Sequence, residues 1–231
     1  MRILKFTSIA IITLVIIFGI GLPIVENPQN WMEYPKIPGL DEKFRNLFFH
    51  VPMSWVATIA FIVSTFYSLK YLNSKNNLYD IKAESSASLG LLFSLLATIT
   101  GSMWAKFNWG SFWNWDPRQL SIIFLLLIYF AYFLLRASIK NEVSRNNISA
   151  VYNVIAGLSA IFFIFILPRM LAGLHPGSKG EADAGPILGG SGSKNVLFTF
   201  YFSLLGFTLF YIWLQNLSYR TRKLLKENYH A

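Results

Sequence analysis

Apolar residues in this chain gather into six runs long enough to cross a bilayer, whose hydrocarbon core of about 30 Å takes about 20 helical residues. The runs are Leu4–Ile24, Val51–Leu72, Ser86–Trp104, Gln119–Leu135, Ile148–Leu167 and Val196–Leu217. The fourth is short, and Arg136 just beyond it can snorkel and let it extend. The pattern predicts an all-α integral membrane protein: one polytopic domain over residues 1–231, with six transmembrane helices. The first run has a second reading, because Arg2 and Lys5 ahead of an apolar stretch have the charge order of a signal peptide. The run is long, however, and ends in Gly19-Ile20-Gly21-Leu22-Pro23 rather than a small-residue cleavage site, so a retained helix is expected.

Composition agrees with the pattern. Hydrophobic residues make up 54% of the 231 and charged residues only 13%, about half the charged share of an ordinary soluble domain. The net charge of +9 could suggest nucleic acid, but the cations are scattered over short loops between apolar runs, which fits membrane orientation better. Of the 20 Lys and Arg, 12 fall at the amino terminus, in the second and fourth loops and in the carboxyl tail. The positive-inside rule then predicts both termini in the cytoplasm and the first, third and fifth loops outside. The chain has no cysteine, which excludes disulfides, thiolate metal ligands and thiol redox chemistry.

The third loop carries the densest chemistry. Trp109-Gly110-Ser111-Phe112-Trp113-Asn114-Trp115-Asp116-Pro117-Arg118 holds three of the seven tryptophans. Were the stretch before Asp116 helical, Trp109, Phe112, Trp113 and Asp116 would share one face, making segment 104–118 an amphipathic aromatic shelf on the outer side. Asp116 suits an N-cap and Pro117 the first position of the helix that follows. Tryptophan also gathers at membrane surfaces for anchoring alone. Anchoring needs one or two rings, however, whereas a flat apolar ligand needs a continuous surface of them.

Two of the three histidines stand on the same predicted rim. His50 sits just before Val51-Pro52, where the second helix is expected to begin, and His175 lies just beyond the fifth; His230 belongs to the tail. Imidazole ligates iron, copper and zinc. Zinc usually takes three or four protein ligands, and here two histidines and a few loop acids are at hand. Two neutral imidazoles suit a metal whose other positions are filled, such as a porphyrin iron. Its macrocycle would rest on the Trp and Phe rings, and its propionates would seek Arg118, Arg45, Arg169 or Lys179. A haem wiring electrons across a bilayer calls for mid-helix histidines, and none of the six runs contains one. The rim placement therefore favours haem handling over the alternative, a haem-carrying redox subunit of a quinone-linked complex. A plain permease component, with rings that only anchor it, is the third reading.

The fifth loop, 168–195, is rich in glycine. Its run to Lys194 loosely resembles a phosphate loop but lacks the Gly-Lys-Ser/Thr ending and a preceding strand, and it reads as a flexible flap.

The tryptophan-rich run resembles the WWD signature of the haem-handling proteins of cytochrome c biogenesis. Phe48-Phe49-His50-Val51-Pro52 with Trp55 resembles that superfamily's His-Val-Pro segment, and Leu174-His175-Pro176 its second histidine. In length, span number and order the chain is similar to the CcmC family; the longer CcsA type shares the signature but carries extra spans. The resemblance implies a multi-pass protein of the bacterial inner membrane, without enzymatic chemistry of its own. It would hold haem b as transient cargo at its periplasmic face and present it to the haem chaperone CcmE, beside the ABC-type subunits CcmA, CcmB and CcmD. It implies His50 and His175 as axial ligands of the iron, and Trp109, Phe112, Trp113, Trp115, Asp116 and Arg118 as the platform for haem and chaperone. Phe112 stands where that family often has Trp or Tyr, which removes a hydrogen bond. Glu181–Gly192 matches nothing in it.

Overall fold

The computed structural model describes residues 2–175, 178–179 and 193–229, with side chains to 227. In chain order the elements are α1 (Arg2–Gly21), strands β1 (Ile24–Val25) and β2 (Tyr34–Pro35), and a 3-10 turn (Asp41–Asn46) leading into α2 (Leu47–Ser74). Then come α3 (Asn77–Trp109), α4 (Pro117–Ser138) and α5 (Glu142–Ile161), which runs through a π turn (Phe162–Ile166) into the short α6 (Leu167–Met170), and finally α7 (Lys194–Tyr229). Among the described residues, six helical stretches are long and apolar enough to cross a membrane.

Each predicted run lies within or largely over one of these stretches, but most helices are longer than their apolar part. α3 starts at Asn77 rather than Ser86, α5 at Glu142 rather than Ile148, and α7 continues past Leu217 to Tyr229. The extra turns are polar and find one another. Arg136 holds Asp80 through two bonds of 2.8 and 2.9 Å and Glu84 at 3.2 Å; Arg222 takes the other Glu84 oxygen at 2.6 Å, and Lys226 pairs with Glu142 at 2.6 Å. Helix is thus maintained beyond the apolar span by mutual ion pairing, which a hydropathy pattern does not register. We call this the charged end. α1 stops early, at Gly21, and Ile24 instead pairs with Tyr34 in a two-residue parallel ladder.

α2 is central. Val56, Ala57, Ala60 and Phe61 pack against α3 (Ala87, Phe93), α4 (Leu125, Tyr129), α5 (Ala156, Ala160) and α7 (Phe207, Tyr211). Phe61 stacks on Tyr129 at 3.8 Å. Small residues set the helix spacing: a Cβ at Gly90 would lie 2.5 Å from Phe61, and one at Gly157 would lie 1.9 Å from Thr65. Ile62, Leu127, Leu134 and Leu158 face outward and are exposed, as lipid-facing side chains must be.

Two prolines need local repair. Pro52 has no N–H, so the Phe48 carbonyl one turn back loses its helical donor. Ser203 of α7 supplies a hydroxyl to that carbonyl instead. Pro168 follows the π turn, whose wider winding passes the chain across the missing donor.

At the other end, the tryptophan end, Tyr34, Phe44, Phe48, Val196 and Phe200 form a second buried cluster that seats the first long loop on α2 and α7. Tyr34 donates to Thr199 at 2.8 Å. Arg45 holds the Gly19 and Leu22 carbonyls at 3.1 and 2.7 Å, closing the end of α1, and pairs with Glu42.

Candidate functional site

The aromatic shelf is not one helical face. α3 ends at Trp109, where Gly110 takes a left-handed φ of 83° and its N–H reaches back to the Lys106 carbonyl. Residues 111–115 are irregular, so the expected alignment of Trp109, Phe112, Trp113 and Asp116 on a continuing helix is corrected. Glycine here ends the helix before the register can carry on. The rings divide by role. Trp109 sets its edge against His175, with centroids 4.7 Å apart. Trp113 and Trp115 meet edge to face at 6.1 Å, and Lys106 lies 5.7 Å over Phe112. Phe112 is 57% exposed and Trp115 70%. Trp115 itself has a left-handed φ of 57°, an uncommon position for a bulky residue.

Asp116 is the buried pivot. As expected it caps α4, with Pro117 next; Arg118 N–H donates to its Oδ1 at 2.9 Å. Gln119 completes a capping box and also accepts from Asn114 N–H at 2.8 Å, pinning the irregular loop to the helix mouth. The same carboxylate reaches across to the segment after α6. Leu174 N–H donates to Oδ2 at 2.6 Å and His175 Nδ1 to Oδ1 at 2.8 Å. Gly173 is required beside it, since a Cβ there would come within 2.7 Å of Oδ2. Burial works against the carboxylate's charge, but the donors from His175, Arg118 and Leu174 outweigh it and hold the pKa down at about 2.

His50 lies inside the first turn of α2 rather than just before the helix, because α2 begins at Leu47. Its Nδ1 is 3.1 Å from Thr100 Oγ1. Thr100 donates its own proton to the Leu96 carbonyl at 2.9 Å, so its oxygen accepts from the imidazole. The ring lies over Gly101, where a Cβ would be 2.7 Å from Cε1. The two histidines therefore share one design. In each, Nδ1–H is fixed by an acceptor: the Thr100 hydroxyl for His50, whose ring also bonds the Ala97 carbonyl, and a carboxylate for His175, whose Nε2 has no hydrogen-bond partner among the described residues. That is the tautomer in which Nε2 offers a lone pair to a metal.

Both rings border the last turns of α3, His50 over Gly101 and His175 against Trp109. The Arg169 guanidinium bonds the Phe165 carbonyl at 2.6 Å. Lys179 is exposed, with its backbone bonded to the Leu171 carbonyl at 3.1 Å. Arg45, the remaining cation expected to meet propionates, is engaged at the end of α1 instead, because three acceptors there surround its guanidinium. Among the described residues, no group of three or more His, Cys, Asp or Glu side chains is placed to hold a metal. The glycine-rich stretch 180–192, with Pro176, Gly177 and His230, lies outside the described residues.

Thr100, Gly101, Gly173 and Gln119 were not singled out from the sequence. Gln119 was the legible one, since Asp116-Pro117-Arg118-Gln119 carries the spacing of a capping box. Thr100, Gly101 and Gly173 acquire meaning only once helices meet.

The model of the family described as CcmC, Heme exporter protein C, matches residues 2–231. The chain belongs to the CcmC family. Among its relatives is the Heme exporter protein C of Paracoccus denitrificans (strain Pd 1222), 26% identical over 175 residues, 76% of this chain and 71% of the relative. That of Rhodobacter capsulatus is 28% identical over 137 residues, covering 59% of this chain and 57% of the relative. That of Escherichia coli (strain K12) is 29% identical over 129 residues, 54% and 47% respectively. The chain thus spans about half to two thirds of the length of most of these relatives. Within this CcmC family member, the paired histidines, the buried carboxylate and the exposed rings all stand at one end of the bundle.

Proposed function

We propose that the chain binds haem b at the tryptophan end, with His50 and His175 as axial ligands through Nε2, and presents it to a haem chaperone of the CcmE kind in cytochrome c maturation. The tryptophan end faces the periplasm in this reading, both termini are cytoplasmic, and CcmA, CcmB and CcmD are the companions. The carrying observation is that two imidazoles from distant parts of the chain both border the end of α3 and each has its Nδ1–H held by an acceptor. Trp109, Phe112, Trp113 and Trp115 offer stacking surface, and Arg118 with Arg169 offers charge for propionates. Asp116 fixes the orientation of His175, and Thr100 that of His50. The chain's task is to hold, orient and release the cargo, and no bond of the substrate is broken by these residues.

The test is the absorption spectrum of protein purified from cells with an intact haem supply. Wild type carries a Soret band; His50→Ala/His175→Ala loses it. Unchanged haem content in the double variant rejects the ligand assignment. Labelling with an impermeant reagent that places positions 50 and 175 in opposite compartments rejects the whole arrangement.

A further inference from the structure

The charged end holds an excess of cations that the ion-pair network leaves over. Its four carboxylates, Asp80, Glu84, Glu142 and Glu227, are all paired, with Arg136, Arg222, Lys226 and Lys223. Lys70 and Lys82 have no carboxylate partner among the described residues. They are also not simply solvated. The Lys82 ammonium lies 5.3 Å from the centre of the Tyr67 ring, 5.9 Å from Tyr79 and 5.2 Å from Tyr219. That of Lys70 lies 4.7 Å from Phe66 and 5.5 Å from the same Tyr79. Tyr67 and Tyr79 stack at 6.1 Å. α2, α3 and α7 each supply one tyrosine to this collar, and Gln215 of α7 ties the helices together at this level through the Lys82 carbonyl at 3.0 Å.

Aromatic faces hold the lysine stems down and keep both ammoniums at one spot. The hydroxyls of Tyr67, Tyr79 and Tyr219 have no hydrogen-bond partner among the described residues, so phenolic donors and two ammoniums stand together without an acceptor. Tyrosine and lysine in this combination belong to the boundary between lipid tails and water. An apolar strip adjoins them: Ile62, Phe66 and Leu69 on α2 are all about half exposed and share one face. A ligand satisfying both parts has a negatively charged head and hydrocarbon chains.

We infer that Lys70 and Lys82, with Tyr67, Tyr79 and Tyr219, bind the headgroup of an anionic phospholipid, whose acyl chains lie along Ile62, Phe66 and Leu69. This site is at the opposite end of the bundle from the histidines and stands whether or not they ligate haem. Full-length protein in detergent, stripped of lipid, is titrated with dioleoyl phosphatidylglycerol or dioleoyl phosphatidylcholine, and the bound lipid is counted by native mass spectrometry. Wild type retains one phosphatidylglycerol in preference to phosphatidylcholine. Lys70→Gln/Lys82→Gln weakens that binding about thirtyfold, from the usual contribution of each lysine near a lipid surface. Lys70→Arg/Lys82→Arg keeps it, which separates lost charge from misfolding, and Lys140→Gln/Arg145→Gln at the same end leaves it unchanged. Equal retention of the two lipids, undiminished binding in the Gln variant, or displacement by millimolar inorganic phosphate alone overturns the lipid assignment.

Discussion

The two ends of this bundle handle buried charge in opposite ways. At the charged end, Arg136 meets Asp80 with two parallel bonds and shares Glu84 with Arg222, so that acids and bases satisfy one another within the protein. At the tryptophan end, Asp116 collects donors from Arg118, Gln119, Leu174 and His175, yet His175 keeps one ring nitrogen without a partner among the described residues. Large rings there, Phe112 and Trp115, stay exposed although they would gain from burial. A closed network holds helices together, whereas an open one with fixed orientation is ready for a ligand. In the proposed reading, the closed network serves stability and the open one the ligand.

The largest effect that could break this comparison is at the charged end. Arg136→Met leaves the buried Asp80 without its cation and Glu84 with Arg222 alone, and is expected to cost about 3–5 kcal/mol of stability. Thermal unfolding checks it, with haem content per folded molecule unchanged. Loss of haem from still-folded protein would show that the ends are not separate.

At the tryptophan end, Asp116→Asn is expected to lower haem affinity about 10- to 100-fold, as does removal of an acceptor that orients a ligating imidazole. Haem titration of the apoprotein measures it. The pH dependence sharpens the point. Asp116 is held at about 2 against a reference value of 3.8. A depressed carboxylate stabilises the fold above its unfolded pKa, and the contribution is lost as pH falls through the folded one. The stability gap between wild type and Asp116→Asn should therefore narrow by about 2 kcal/mol between roughly pH 5 and pH 2. A gap independent of pH over that range would mean the carboxylate's charge is not what matters.

Gly101→Ala comes next. Its Cβ would strike the His50 ring, and overpacking of this kind costs about 1–3 kcal/mol. The expected readout is a weakened or shifted Soret band with helix content retained by circular dichroism. Trp113→Ala should weaken haem or chaperone engagement by about 1–3 kcal/mol, measured by titration. The smallest effect is expected for Thr100→Val, which removes only a neutral acceptor from His50 at about 1 kcal/mol. If Thr100→Val costs haem affinity as much as Asp116→Asn, the two histidines are not held with unequal strength.

The apolar runs made the six spans legible, because lipid-facing and core-facing residues are both hydrophobic and their sum shows in any window. Helix ends were less so. Asn77–Ser85 and Asn216–Tyr229 are helical although polar, since their charges pair across helices, and that pairing is a property of three dimensions. The loop from Trp109 is legible in content but not in form. Its rings and the Asp116 cap were visible, but Gly110 turns the chain out of the helix and gives each ring a separate neighbour. α2 starts one turn ahead of the predicted position and takes in His50, because Pro52 resembles a first-turn proline but stands beyond the first turn. Arg45 reads in the sequence as an outer cation for propionates, but the carbonyls at the end of α1 occupy it.

Ser203 answers the carbonyl that Pro52 leaves without a donor, and that carbonyl belongs to Phe48, two residues from His50. The proline has in effect exchanged an intrahelical strut for a strut to α7. Sliding the upper part of α7 along its axis would tug on the very turn that aims one imidazole.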